Sequence, residues 1–310
     1  MAHDLVRRGS VEEARVDRMR YAFYGLQLAG LLGAVIILLT AIIWRKAAKR
    51  HASWFNFMVT WIISCSSYLF LIGEPLDTTP NQTLCVFQAA LIYSVPTLTS
   101  AATIALVIHV YMTLRSLLTP INHRAIWTAA LVAGPYVPAW ALFATFLMMG
   151  LSDPSLVRAF DGTYCSISNK TPERVSAIVV AALMILCLGV EAIIFRNLRR
   201  AWAVLKQDDR SSVSMVVRVL AFTSVGMLSI ILSLIFCVLP DTHNDMVFNV
   251  IISLVPVSSV LIFGTQKDIF SAWASIVRIG RRRSHGIDTW ETFTPIQSRQ
   301  TIHLQAAEAS

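Results

Sequence analysis

Charge is what this chain has least of. Asp, Glu, Lys and Arg together make up 14% of its residues, against about 25% in soluble domains. The apolar residues, 55% of the total, are gathered into long uncharged blocks, and that balance excludes a soluble globular domain. Short alternating segments are missing, which excludes a β-barrel and leaves helices as the elements that cross a bilayer. No apolar core precedes a small-residue cleavage site in the charged first twenty residues, so no removable signal peptide is expected. Histidine is scarce: of seven, only His109 lies inside an apolar block, whereas a membrane zinc hydrolase needs several buried histidines and carboxylates. No metal, cofactor or enzymatic activity is therefore expected. The last block, Met246 to Phe263, has no lysine to carry a retinal Schiff base, which excludes a light-driven pump.

Seven blocks remain, each read as a spanning helix: Phe23 to Trp44, Trp54 to Ile72, 86 to 112, Ile126 to Met149, Val175 to Phe195, Val213 to Leu239 and Met246 to Phe263. At about 1.5 Å per residue each can cross, or nearly cross, a hydrocarbon core about 30 Å thick. The third, opening at Cys85 and closing at a polar cluster of His109, Tyr111 and Arg115, is the expected centre. The fifth can extend to Leu205. The fold expected is an all-α membrane protein, a seven-transmembrane helix bundle over residues 21–266. An extracellular tail (1–20) precedes it, solvated and partly disordered, although Val11 to Arg20 could form a short surface helix. A short amphipathic cytoplasmic helix (267–283) and a disordered cytoplasmic tail (284–310) follow. The amphipathic helix would lay Ile269, Phe270, Trp273, Ile276 and Val277 on the bilayer and its arginines on anionic headgroups.

Eighteen of the 26 Lys and Arg residues fall on the links after spans one, three and five and on the C-terminal tail; eight fall on the other side. The positive-inside bias then puts the N-terminus out and the C-terminus in. Two glycosylation sequons, at Asn81 and Asn169, lie on links placed outside, as do Cys85 and Cys165. In an oxidising compartment those two cysteines can pair, tying the top of span three to the second outer link and folding that link over the bundle as a lid; the alternative is two free thiols. Cys65, Cys187 and Cys237 lie within spans and read as small apolar packing residues.

Seven spans, an outward N-terminus, a cysteine opening span three and another in the second outer link resemble the G-protein-coupled receptor superfamily. The ending of span seven, Leu261-Ile262-Phe263-Gly264-Thr265-Gln266-Lys267-Asp268-Ile269-Phe270, is similar to fungal cyclic-AMP-receptor-like receptors. The resemblance covers about Tyr21 to Gly280 and implies a plasma-membrane receptor that passes an extracellular signal to the alpha subunit of a heterotrimeric G protein. The rhodopsin-like switch residues do not carry over. His109-Val110-Tyr111 stands where that family has Asp-Arg-Tyr, and Val255-Pro256-Val257-Ser258-Ser259 where it has Asn-Pro-x-x-Tyr.

Roles for individual residues follow from depth and chemistry. Intramembrane ionisable groups are costly and face the bundle interior in pairs. His109, Glu191 and Arg218 fall at similar depths and are expected to form a polar latch between spans three, five and six, with Tyr111 and Arg115 nearby. The alternative has Arg218 snorkelling to headgroups and Glu191 pairing with Arg196. Pro256, with Ser258 and Ser259, is a candidate moving kink or a static packing kink. A ligand site in the outer half would draw on Tyr68, Gln88, Tyr93, Tyr136, Trp140, Tyr164, His243 and Asn249, with fewer than half touching ligand. It is aromatic and uncharged, suited to a small apolar, amphipathic or cationic molecule, or to a peptide. Leu117, Leu118 and Ile121 with the basic third inner link would dock the G protein. Nucleic acid is not an expected partner, because the basic residues mark topology. A seven-span transporter or lipid-handling protein without G-protein coupling is the alternative, although paired broken helices and repeated halves are missing.

Overall fold

The computed structural model describes residues 2–44, 50–72, 81–118, 125–160, 163–208, 217–228 and 245–266, with residues 231, 269, 270, 273 and 274 besides. In chain order the elements are α1 (Ala2–Ile43), α2 (Ala52–Tyr68), α3 (Gln82–Leu118), α4 (Ala125–Ala133) and α5 (Tyr136–Ser152). A 3-10 turn (Pro154–Leu156), strands β1 (Val157–Phe160) and β2 (Tyr164–Ile167), and α6 (Lys170–Asp208) follow. The described part of the chain ends with α7 (Val217–Leu228) and α8 (Asp245–Gly264). Four helical segments are long and apolar enough to cross a membrane: Ala14–Ile43, Gln82–Ser116, Ala125–Ser152 and Lys170–Asn197. The chain is thus a mostly helical membrane protein. Of the other three expected spans, α2 has 17 residues and α7 and α8 contribute shorter apolar helices. Most of 229–244 lies outside the described residues.

α1 begins twenty-one residues earlier than its apolar block. The charged segment read as a solvated tail continues the helix from Ala2. Its Arg, Glu, Ala and Met content favours helix, and Arg20 pairs with Asp17 one turn back at 3.2 Å. Beyond Tyr21 the helix is apolar on both sides, but its two faces differ in burial. Leu32, Ile36, Leu39 and Ile43 are exposed while Ala34, Ile37 and Ala41 are buried. Apolar residues on both the covered and the uncovered face, at helical spacing, are what a helix between protein and lipid requires.

Proline breaks one helix and is absorbed within another. Gly134 and Pro135 make a two-residue turn between α4 and α5, where the proline lacks the N–H that would continue the ladder. Pro96 lies inside α3, and nearby hydroxyls turn back on the helix: Ser94 donates to Leu91 O at 3.0 Å, and Thr99 to Pro96 O at 3.1 Å and Val95 O at 3.3 Å. Such back-bonding lets a helix bury Ser and Thr without orphaning their hydroxyls.

α3 is the central element, packing against α2, α5, α6 and the hairpin, while α1 packs between α2 and α8. Small residues make the α1–α8 approach possible. A Cβ added at Gly33 would lie 2.5 Å from Val260 Cγ1, one at Gly30 2.9 Å from Pro256 Cβ, and one at Gly264 2.9 Å from Ile37 Cδ1. At the end away from the hairpin, Phe57, Trp61, Phe222 and Phe263 are buried edge-on against one another, with centroids 5.2–6.2 Å apart, joining α2, α7 and α8. The chain divides into two units, 1–269 and 270–310. In the second, Phe270 and Trp273 are helical, with ring centroids 6.5 Å apart. Apart from these and residues 269 and 274, the expected amphipathic helix and tail lie outside the described residues.

Candidate functional site

The site is organised by a disulfide. Cys85, in the first turn of α3, is bonded to Cys165 in β2, with Cα atoms 5.2 Å apart. The two thiols left open by sequence are therefore a bridge. Cys65 and Cys187 are free and buried, as expected of packing residues, and Cys237 lies outside the described residues. In the chain-entropy picture a closed loop of this length contributes about 4.5 kcal/mol. β1 and β2 form an antiparallel hairpin in which Ala159 faces Cys165 and Phe160 faces Tyr164.

Alternation along β2 then decides what goes where. Cys165 and Ile167 point into an apolar cluster with Val86, Ala89, Phe143, Phe146 and Val157, while Tyr164 points to the opposite face. The bridge holds this register; a one-residue slip would turn Tyr164 away from the bundle. Gln88 secures the strand from beneath: its Oε1 accepts from Cys165 N at 3.1 Å and its Nε2 donates to Ser67 O of α2 at 3.0 Å. Tyr93 supports the strand's end, accepting from Ile167 N at 3.3 Å.

Tyr164 enters a space between α1, α2 and α8. Its ring lies 5.6 Å from that of Tyr68, edge to face, and 6.0 Å from Phe23. Its hydroxyl donates to Asn249 Oδ1 at 2.9 Å. Beside it, Tyr24 donates to Thr163 O at 2.7 Å. One helical turn further in on both helices, Gln27 Nε2 donates to Ser253 Oγ at 3.2 Å, and Ser253 Oγ donates to Asn249 O at 2.7 Å. Burial, aided by the neighbouring Tyr68, Tyr93 and Glu173, pushes the Tyr164 phenol well above its ordinary range, although the Asn249 bond pulls against that shift.

Five of the eight expected ligand-site residues, Tyr68, Gln88, Tyr93, Tyr164 and Asn249, therefore gather under the hairpin. Two do not. Tyr136 donates to Asn56 Oδ1 at 2.8 Å, joining the start of α5 to the first turns of α2, and Trp140 is 64% exposed, touching Phe143 on the outer face of α5. Both residues have the right composition and the wrong azimuth. His243 lies outside the described residues. The site also includes Phe23, Tyr24 and Gln27, missed because α1 was read for length alone, and Ser253, one turn beyond Asn249 on α8. The signal was present: Gln27 is an amide within an apolar span.

At the opposite end the expected latch is not assembled. Arg218 of α7 reaches the C-terminus of α8, donating from Nη1 to Ile262 O and, at 2.9 Å, to Thr265 Oγ1, and from Nη2 to Thr265 O at 2.9 Å. A guanidinium fork on the last carbonyls of a helix also meets the negative end of its dipole. Glu191 is buried on α6 beside the Thr223 hydroxyl of α7, its Oε1 without a hydrogen-bond partner. The His109 ring stacks on His51 at 3.6 Å, bringing α3 to the N-cap of α2. Among the described residues no ion pair joins Glu191 to Arg218 or to Arg196. Tyr111 and Arg115 occupy the last turns of α3, with Arg115 exposed. Pro256 is buried against Gly30 of α1, and Ser258 donates to Val255 O at 2.7 Å.

Both sequon asparagines begin helices. Asn81 Oδ1 accepts from Thr83 N at 3.0 Å before α3, and Asn169 Oδ1 accepts from Thr171 N at 3.0 Å before α6. Both are exposed, and each cap uses the oxygen, leaving the amide nitrogen to which a glycan attaches.

Compared with known proteins, the chain matches no family model and no curated sequence.

Proposed function

We propose that this protein is a seven-transmembrane receptor of the G-protein-coupled kind, set in the plasma membrane with its N-terminus out. A chemical signal arriving at the hairpin end would be passed to a heterotrimeric G protein at the other end. The observation that carries the reading is the hairpin tied by Cys85–Cys165 to the start of α3, with its tyrosine lowered among α1, α2 and α8. That arrangement couples the hairpin to three helices at once, as a signal entering from outside requires. The fungal resemblance at Leu261 to Phe270 and the two exposed sequon asparagines support the same orientation.

The switch in this reading is not the three-residue latch first expected but the Arg218 clamp. α7 is held to the end of α8 by bonds that an outward swing of α7 must break, and the Phe57, Trp61, Phe222 and Phe263 cluster lies between the same helices. Glu191 beside Thr223 would then set how α7 rests on α6. The decisive experiment is nucleotide exchange on a G-protein alpha subunit, measured with the purified chain in lipid nanodiscs. Faster exchange than with empty discs supports the receptor; solute flux with no exchange on any alpha-subunit class would replace it with a transporter.

A further inference from the structure

The residues gathered under the hairpin grip a side chain of the same chain. Tyr164 presents a flat ring, neutral and carrying one hydrogen-bond donor, to two aromatic walls and one acceptor. Phe23 and Tyr68 flank it at 6.0 and 5.6 Å, and Asn249 Oδ1 receives the phenol proton at 2.9 Å. From the receptor reading above we infer that Tyr164 is a built-in occupant of the ligand site. The external ligand is then a neutral aromatic molecule with a hydroxyl donor, which seats by displacing this phenol.

Three features on the page point to that chemistry. The walls are aromatic and the groups in direct contact are carboxamides, with Glu173 acting on the phenol only through space, so a full charge would enter without a hydrogen-bonded counter-ion, at a cost a neutral ring avoids. The position of the ring is imposed by strand register and not by its own affinity, since the neighbouring Cys165 is covalently held. A tethered ring can therefore be displaced while the strand stays anchored. Finally, Gln27 is 2% exposed and its Oε1 has no hydrogen-bond partner, one turn deeper than the Tyr164 bond. A buried acceptor left unsatisfied favours a ligand that reaches further in than tyrosine and brings a second donor.

The test removes the occupant and supplies its side chain separately. The full chain carrying Tyr164→Ala, and a second variant Tyr164→Leu in case the first does not fold, would be placed in nanodiscs. Retention of the Cys85–Cys165 bridge is checked, and p-cresol binding is measured by isothermal titration. Either folded variant should bind p-cresol at least about tenfold more tightly than the wild type, whose site is filled. Toluene, which lacks the donor, should bind about tenfold more weakly than p-cresol, and Asn249→Leu in the same background should erase that preference. Equal binding by wild type and a folded variant overturns the proposal, as does indifference to the hydroxyl. The readout needs no G protein. Binding of p-cresol without nucleotide exchange would retire the receptor and leave the occupied site, and exchange without p-cresol binding would do the reverse.

Discussion

If the protein is the receptor proposed above, replacing Arg218 with glutamine should raise basal G-protein activation. The guanidinium makes three hydrogen bonds to the end of α8, one to Ile262 O and two to Thr265. Hydrogen bonds to a charged donor contribute about 1.5–3 kcal/mol each when well shielded. Arg218 is only half-buried, and solvent competes for its nitrogens, so the set is better taken together at about 1–2 kcal/mol. If α7 leaves α8 when the cytoplasmic cleft opens, the same energy biases the closed state. Its loss then multiplies the open population about 5- to 30-fold while that population remains small. Basal nucleotide exchange by Arg218→Gln in nanodiscs should rise by that factor over wild type. Arg218→Lys should fall between them, because it keeps charge at the helix end but loses the fork. An Arg218→Gln protein that retains its bridge and helix content but exchanges nucleotide at the wild-type rate would refute the clamp.

Three further outcomes are expected. Cys85→Ser should lower stability by no more than about 4.5 kcal/mol, and by less if the helices persist in the lipid-bound unfolded state and shorten the effective loop; thermal unfolding by tryptophan fluorescence measures it. Gly33→Leu should destabilise by about 1–3 kcal/mol, since the new side chain meets Val260, whereas Gly25→Ala, with open space around it, should be neutral by the same assay. Raising the pH should release the Tyr164 ring and loosen the hairpin around its bridge. The docked Tyr164 phenol stays neutral above its ordinary range, so docking is at full strength below about pH 10, where the undocked phenol also keeps its proton. Docking weakens as the pH rises beyond that, towards the docked pKa. Hydrogen exchange across residues 157–167 should be flat, after correction for intrinsic rates, from pH 8 to about 9.5, then rise, and Tyr164→Phe should abolish the rise.

The membrane class, the four long helices and the Cys85–Cys165 bridge could all be read from the chain, because each depends on quantities carried along one dimension. Block length against bilayer thickness identifies the long helices, and the two cysteines that stand outside the apolar blocks identify the bridge. The helical start of α1 at Ala2, beyond the short helix allowed at Val11 to Arg20, was not legible for the complementary reason. Charge density marks the end of a span and says little about the end of a helix, and the segment from Ala2 has the propensity to continue.

Which polar residues share a site depends on azimuth around each helix and on strand register, and neither is written in depth or composition. Tyr136 and Trp140 matched the expected chemistry yet face α2 and the outer surface of α5, while Phe23 and Gln27, on a helix read only for length, and Ser253, beside Asn249 on α8, join the site under the hairpin. Arg218 and Glu191 lie at comparable depth, but Arg218 turns to the carbonyl end of α8 while Glu191 turns to Thr223. The sequence by itself determined what could enter a membrane and which two cysteines could be joined, since hydropathy and covalent chemistry are local. Only the packed bundle decided that Tyr164 fills the space below the lid, because that follows from the pleat of β2 meeting three helices distant in sequence.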